Sequence, residues 1–328
     1  MRSTREQLAA AVAAAQARFL RHSDSWVRTY LTVRHLETAT ADWGLGFADA
    51  QWDSLRSSLR DQFSDAVLID AGLCTPTRDG RVVDVFRDRL TFPIRDSHGT
   101  VLGFTSRAKP GASARVPKYL NTRSTPLFDK SSALFGIDHL HARATAVLVE
   151  GPADAIAVTL SGGGQFVGVA ACGSTWTSCH VDTVVSVIGT SGRVVIATDA
   201  DNTGRKTMGT LYRQLSVFDQ LRVDALTLPP GTDPAQLHRR STLAPALDSA
   251  APAIISVARN LVEDHRDSLR WAEGRIAAIR AVAPLVVACP SHLRDTLIEQ
   301  IAALTTMSPP AIRETIATDL VADQGAIA

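Results

Sequence analysis

The residues best suited to chemistry are acidic and stand at the ends of apolar runs. Glu150 directly follows Thr145-Ala146-Val147-Leu148-Val149 and opens the segment Glu150-Gly151-Pro152-Ala153-Asp154. Asp199 directly follows the run from Arg193 to Thr198 and opens Asp199-Ala200-Asp201-Asn202-Thr203-Gly204. If the two runs are neighbouring parallel strands, three or four carboxylates converge on one sheet edge. Uncompensated, that many like charges cost on the order of several kcal/mol, which a bound cation would offset. Hard oxygen donors without His or Cys point to Mg²⁺ or Mn²⁺, with no zinc. Gly151 and Gly204 suit tight turns that let phosphate approach the backbone, and the helix N-termini behind them favour anions. Each motif has a plainer reading. An isolated Asp-x-Asp is first of all a helix cap, and a glutamate before glycine is an ordinary surface carboxylate. Two such motifs at two strand ends are harder to dismiss together.

These side chains need a scaffold, and the pattern of residues 145–228 supplies one. Strands at 145–149, 165–170, 193–198 and 222–228 alternate with helices starting near Ala153, His180 and Thr203. Such alternation predicts an α/β unit with a largely parallel sheet and helices on its faces. Ligands then bind beyond the carboxyl ends of the strands, where Glu150 and Asp199 stand. Upstream, residues 5–70 read as helical, with Leu8, Val12, Ala15 and Phe19 on one face of the first helix. Short β-type runs follow at Val82-Val83, 90–94 and 101–104, the last two joined as a hairpin through Asp96-Ser97-His98-Gly99. Residues 108–126 read as a partly mobile basic loop, Ser241 to Pro252 as an Ala/Pro/Ser-rich linker, and the chain from about Ile254 as helical.

Composition narrows the class. Of 328 residues, 45% are hydrophobic and 20% charged, enough apolar content to bury a sizeable core. The net charge of +1 excludes a global positive field. Charge is nevertheless segregated: Arg81, Arg87, Arg89, Arg95, Arg107, Lys109, Arg115, Lys118, Arg123 and Lys130 are opposed only by Asp84, Asp88, Asp96 and Asp129. A local basic stretch on a neutral protein fits contact with a polyanion, and equally a solvated surface. Cys74, Cys172, Cys179 and Cys289 form no CxxC pair and read as buried thiols of a reducing compartment. No apolar run reaches the roughly 18 residues of a membrane span. The Ala-rich stretch Ala9 to Ala17 reads as an amphipathic helix and not as a signal peptide, so the expected location is cytoplasmic, with no membrane partner.

A strand ending in Glu-Gly-x-x-Asp, followed by one ending in Asp-x-Asp, resembles the Toprim domain of primases, topoisomerases, recombination proteins and some nucleases. The flanks resemble the DnaG-type primases in particular. Arg87 to Asp96 is similar to the stretch that introduces their polymerase domain. Gly103-Phe104-Thr105-Ser106-Arg107 is similar to the next motif, with Thr105 and Ser106 where glycines are usual. Pro117-Lys118-Tyr119-Leu120-Asn121 and Thr125-Pro126-Leu127-Phe128-Asp129-Lys130 resemble the basic signature. Tyr30-Leu31 and Arg34-His35-Leu36 resemble the N-terminal signature, with His35 replacing a glycine. Gly168 to Ser174 and Leu228 to Pro234 are similar to later motifs, and the tail from Glu273-Gly274-Arg275 to Ser308-Pro309-Pro310-Ala311 resembles the closing helical subdomain.

The resemblance implies a basic α+β subdomain at 1–140 for template and NTP binding, a Rossmann-like Toprim catalytic domain at 141–245, and a helical subdomain at 246–328. It implies RNA primer synthesis from NTPs on a single-stranded DNA template. Glu150, Asp199 and Asp201 would hold the metal, with Asp154 and Asp233 supporting it or a second ion. Some relatives carry one more carboxylate two residues before the position of Asp233, where this chain has Gly231. Arg34, Arg107, Lys118 and Lys130 would grip triphosphate and the template–primer backbone. Tyr119 and Asn121 would contact nucleotide, Tyr119 by stacking or merely by packing. Arg205 and Lys206 stand where they could touch phosphate or simply be solvated. The family's N-terminal zinc-binding and C-terminal helicase-binding domains have no room here, so the expectation is an excised core or a minimal primase using a replicative helicase or a separate template-recognition protein. A Toprim nuclease and a non-catalytic single-stranded DNA-binding protein remain open as alternatives.

Overall fold

The computed structural model describes residues 3–173 and 175–325, with side chains as far as 319. Ser174, at the end of one of the motifs above, lies outside the described residues.

The N-terminal part begins with α1 (Arg5–Leu20), capped by Thr4 and Gln7 in a reciprocal capping box. Its Leu8, Val12, Ala15 and Phe19 are buried, the face expected from their spacing. Next come α2 (Ser25–Val33), β1 (Gly46–Ala48), α3 (Ser54–Leu59), α4 (Asp65–Asp70), β2 (Cys74–Pro76), β3 (Val82–Asp84), β4 (Arg89–Arg95), β5 (Val101–Ala108) and β6 (Tyr119–Asn121). The expectation of helix throughout 5–70 fails at β1, which pairs antiparallel with β4. Helical spacing of apolar residues could not reveal that three-residue edge, which tertiary pairing creates. The β4–β5 hairpin forms as expected. The basic stretch 108–126 is not all loop: β6 hydrogen-bonds to β5, completing a sheet of order β1-β4-β5-β6. Register places Tyr119 opposite Arg107.

The second unit runs β7 (Leu134–Phe135), β8 (Thr145–Val149), α5 (Pro152–Ser161), β9 (Phe166–Ala171), α6 (Ser178–Ile188), β10 (Arg193–Ile196), α7 (Asn202–Leu215), β11 (Arg222–Ala225), α8 (Pro234–Arg239), α9 (Leu243–Asp248) and β12 (Ala251–Pro252). Its sheet has order β12-β11-β10-β8-β9-β7, parallel through β11, β10, β8 and β9 and antiparallel at both edges. Strands β8 and β9 are apolar on both faces because helices cover both, hence their unalternating runs. The segment expected as a linker, Ser241 to Pro252, instead forms α9 and β12. Leu243 and Leu247 are fully buried against α5, which turns a Pro- and Ala-rich segment into a docked helical turn.

The C-terminal part is helical as expected: α10 (Ala253–Glu263), α11 (Ala272–Ala288), α12 (Ser291–Thr305) and α13 (Pro309–Gly325). One core runs from Trp26, Phe47 and Phe92 through Phe135 to Val149, Ile156 and Leu243. It therefore fastens the N-terminal sheet directly to the α5 face of the parallel sheet and fixes the relative position of the basic and acidic residues. Cysteines 74, 172 and 289 are buried, but Cys179 is exposed on the first turn of α6, against the expectation of four buried thiols.

Candidate active site

Strands β8 and β10 are adjacent, so Glu150 and Asp199 leave the same sheet edge side by side. The Asp199 amide donates to Glu150 Oε1 at 3.1 Å. Asp201 caps α7 with Oδ1 accepting from the Gly204 amide at 2.8 Å, and Asp233 caps α8 with Oδ1 accepting from the Gln236 amide at 2.7 Å. The capping role weighed for Asp201 is thus real, and it leaves that residue's second carboxylate oxygen for other work, whereas Oδ2 of Asp233 accepts from Gln236 Nε2 at 3.4 Å. Asp154, on the first turn of α5, accepts from the Ala235 amide at 3.1 Å and ties α5 to α8. Gly204 has a different task from the one expected. A Cβ there would lie 2.1 Å from the Asp199 carbonyl oxygen, so its bare Cα lets α7 seat against the Asp199 loop. Gly204→Ala should cost about 3 kcal/mol in urea unfolding, because the obstructing atom is backbone and cannot rotate away.

The electrostatics record the crowding. Burial, and then the charges of Glu150, Asp233 and Asp201, push Asp199 up to about 6. Burial, and then Asp233 and Asp199, push Asp154 up to about 7. Glu150 is raised as well, mainly by burial, with Asp201 adding to it and the Asp199 amide opposing it. Asp199 Oδ1 is buried without a hydrogen-bond partner. Among the described residues no group of three His, Cys, Asp or Glu side chains stands, as placed, where it could hold a metal ion. A hard-oxygen set with one orphaned buried oxygen and elevated proton affinities nevertheless fits a hard divalent cation that draws the carboxylates together on binding.

The pH consequence follows from the direction of these shifts. Below about pH 4 folded and unfolded chains both hold the Asp154 proton, so the group contributes nothing to pH dependence. As pH rises the unfolded carboxyl ionises first, and stability declines until the folded one ionises near pH 7. Asp154→Asn should therefore raise the melting temperature of metal-free protein at pH 8 and flatten its decline between pH 5 and 8, as read by calorimetry. Asparagine keeps an oxygen for the Ala235 amide, so the comparison isolates the charge.

A cationic wall faces the acids. The Arg107 guanidinium lies 4.7 Å from the Tyr30 ring centre and 5.5 Å from that of Tyr119, and Arg34 lies 4.9 Å from Tyr30. Arg107 also donates to the Tyr119 hydroxyl at 3.4 Å. Arg34 and Lys118 are near enough to pull Asp154 and Asp199, respectively, downward. Between wall and acids lies a cavity of about 340 Å³ lined by Tyr119, Asn121, Glu150 and Cys172. Asn121 Nδ2 donates to the Cys172 carbonyl at 2.8 Å, bridging the two sheets, while its Oδ1 is buried without a partner. Lys130 is exposed, its carbonyl contacts His180 Nε2, and its charge is felt at Cys172, which lines the same cavity. Tyr30 belongs to this wall although no role was expected of it. Its place four residues before Arg34, which caps the C-terminus of the same helix, was the available signal.

Fold and site define a Toprim-type domain joined to a primase-type N-terminal unit. Residues 15–141 match the DNA primase catalytic core, N-terminal domain, and residues 147–238 match the Toprim-like family. The chain is 34% identical over 326 residues to the DNA primase of Mycobacterium tuberculosis, covering 92% of this chain and 49% of that protein. It is 33% identical over 270 residues to the DNA primase of Streptomyces coelicolor, covering 79% of this chain and 41% of that one. Its structure matches the RNA polymerase domain of Mycobacterium tuberculosis primase DnaG, solved with double-stranded DNA. The TM-score is 0.76 at 33% identity, covering 93% of this chain and 99% of that one. The chain belongs to the DnaG-type DNA primase family and corresponds to its catalytic core. It spans about half the length or less of the curated relatives it matches. Toprim-type primases use a divalent metal. No helix among the described residues is long and apolar enough to cross a membrane.

Proposed function

We propose that the chain synthesises RNA primers from NTPs on single-stranded DNA at the edge built by Glu150, Asp199 and Asp201. The observation that carries this reading is the direct link between the Asp199 amide and Glu150, opposite the Arg107–Tyr119 wall. The proposed division of labour is 1–140 for template and NTP, 141–245 for catalysis and 246–328 as a helical subdomain.

Glu150, Asp199 and Asp201 would hold Mg²⁺ or Mn²⁺, with Asp154 and Asp233 beside them, and no zinc is needed. When bound, such a cation stabilises charge on the phosphoryl oxygens and lowers the pKa of the attacking 3′-hydroxyl. The chain's own groups do the rest. Arg34, Arg107 and Lys118 neutralise and orient the triphosphate, and pyrophosphate departs toward them. The stacked guanidinium of Arg107 is held rigid by two rings, so little side-chain entropy is lost when phosphate arrives. Tyr119 and Asn121 border the cavity where sugar and base would lie. Lys130 would contact the template–primer backbone. Partners would be the DNA template and RNA primer, together with a replicative helicase or a separate template-recognition protein, in a cytoplasmic setting.

A primer-synthesis assay on single-stranded templates, with Mg²⁺ and each NTP set, tests the reading. Metal-dependent dinucleotides and longer products are expected. Template degradation without NTPs would assign a nuclease instead, and strand binding in EDTA with no product would assign a non-catalytic binder.

A further inference from the structure

A second cleft, of about 620 Å³, opens between α7 and the C-terminal helices. One wall is the outer face of α7, carrying Arg205, Lys206 and Arg213. The opposite wall is mainly aliphatic, from Val257, Leu261 and Leu285, with Asn260 among them. Asp264 is the single carboxylate lining it. Among the described residues none of the three cations lies within 4 Å of a carboxylate. Their contacts are local: Arg205 donates to Asn202 Oδ1, and Arg213 Nε donates to the Gly209 carbonyl at 3.4 Å.

Gly209 supplies an independent observation. It lies inside α7, where glycine costs about 1 kcal/mol relative to alanine. A Cβ there would meet nothing within 4 Å, so no packing constraint demands glycine. What its bare Cα does is keep the helix face open on the floor of the cleft, between the cations.

The cleft also has a direction. Asn202, at its near end, follows Asp201, the cap of α7 at the acidic edge. From Arg205 to Arg213 the cations span eight residues, about 12 Å along the helix axis. A single phosphate group needs one such position, whereas a strand running lengthwise meets all of them. A cationic row facing an aliphatic wall suits a chain with phosphates on one side and bases on the other.

We infer that this cleft holds a single nucleic-acid strand running away from the acidic edge, its phosphates on Arg205, Lys206 and Arg213 and its bases against the α10–α11 wall. The inference rests on the primer-synthesis reading, since that reading places a strand at the near end.

Fluorescence anisotropy with labelled oligothymidylates of about 4 and about 12 nucleotides, in Mg²⁺, tests it. The unaltered protein should prefer the longer strand. The double variant Lys206→Ala/Arg213→Ala should lower the long-to-short affinity ratio about tenfold and reduce the salt slope for the longer strand by about 1.4. Gly209→Leu should lower the ratio comparably by filling the cleft, with a melting temperature no lower than that of the parent because leucine favours helix. The proposal is overturned if both folded variants keep the ratio and slope, or if they lose short and long strands equally. It is also overturned if pyrophosphate competes as well as the longer strand, which would make the cleft a small-anion pocket. Equal binding of both lengths by the unaltered protein sinks the proposal alone. Binding of neither, with no primer product, sinks the underlying reading too.

Discussion

Asp199→Ala should abolish metal-dependent dinucleotide formation, lowering it by about 1,000-fold or more, while the protein stays folded. Both halves follow from the site. Asp199 carries the buried oxygen that lacks a partner, and it feels the charges of Glu150, Asp233 and Asp201 together. Its carboxylate is also a burden on the metal-free fold, held up to about 6 by burial and like charge. Removing it takes away a charge that the folded chain resists above pH 6. The melting temperature at pH 8 should therefore not fall, and circular dichroism should be unchanged. An inactive variant that is also unfolded would leave Asp199 with a structural role, and an active one would move the chemistry elsewhere. Asp199→Asn separates charge from shape and should be equally inactive.

Arg107→Ala should reduce kcat/KM for NTP by about 100-fold, about 2.7 kcal/mol of transition-state binding. Arg107→Lys should recover little of it. A lysine keeps the charge but loses the planar group that lies against Tyr30 and Tyr119 and donates to the Tyr119 hydroxyl. The Arg107 Nε is buried without a protein partner, which leaves a donor for an incoming phosphate oxygen. Steady-state kinetics of both variants, with kcat and KM resolved, distinguish this from a simple loss of packing. A lysine variant with near-normal kcat/KM would reduce Arg107 to a point charge.

The acidic edge was legible because its determinants are local. Uninterrupted Val, Leu, Ala and Ile runs mark strands buried on both faces, and the carboxylate that ends each run must then leave at the carboxyl edge of the sheet. The alternation alone leaves the order of the strands open, and the pairing of β8 with β10 is what brings the two carboxylates together. What escaped was whatever long-range pairing creates. Gly46–Ala48 becomes a strand only because Thr91 and its neighbours offer an edge, and Tyr119–Asn121 only because β5 does. The Ser241 to Pro252 segment reads as a linker until Leu243 and Leu247 find the α5 surface. The Tyr30–Arg107 stack joins two elements far apart in sequence, and nothing in either element's own pattern announces the other.

The account stands on one cation shared by Glu150, Asp199 and Asp201. Anomalous scattering from crystals soaked in Mn²⁺ measures that directly. A peak within about 2.2 Å of carboxylate oxygens from Asp199 and at least one of Glu150 and Asp201, lost in Asp199→Ala, is the predicted result. A peak held by other residues, or one that survives the Asp199 substitution unchanged, would contradict it.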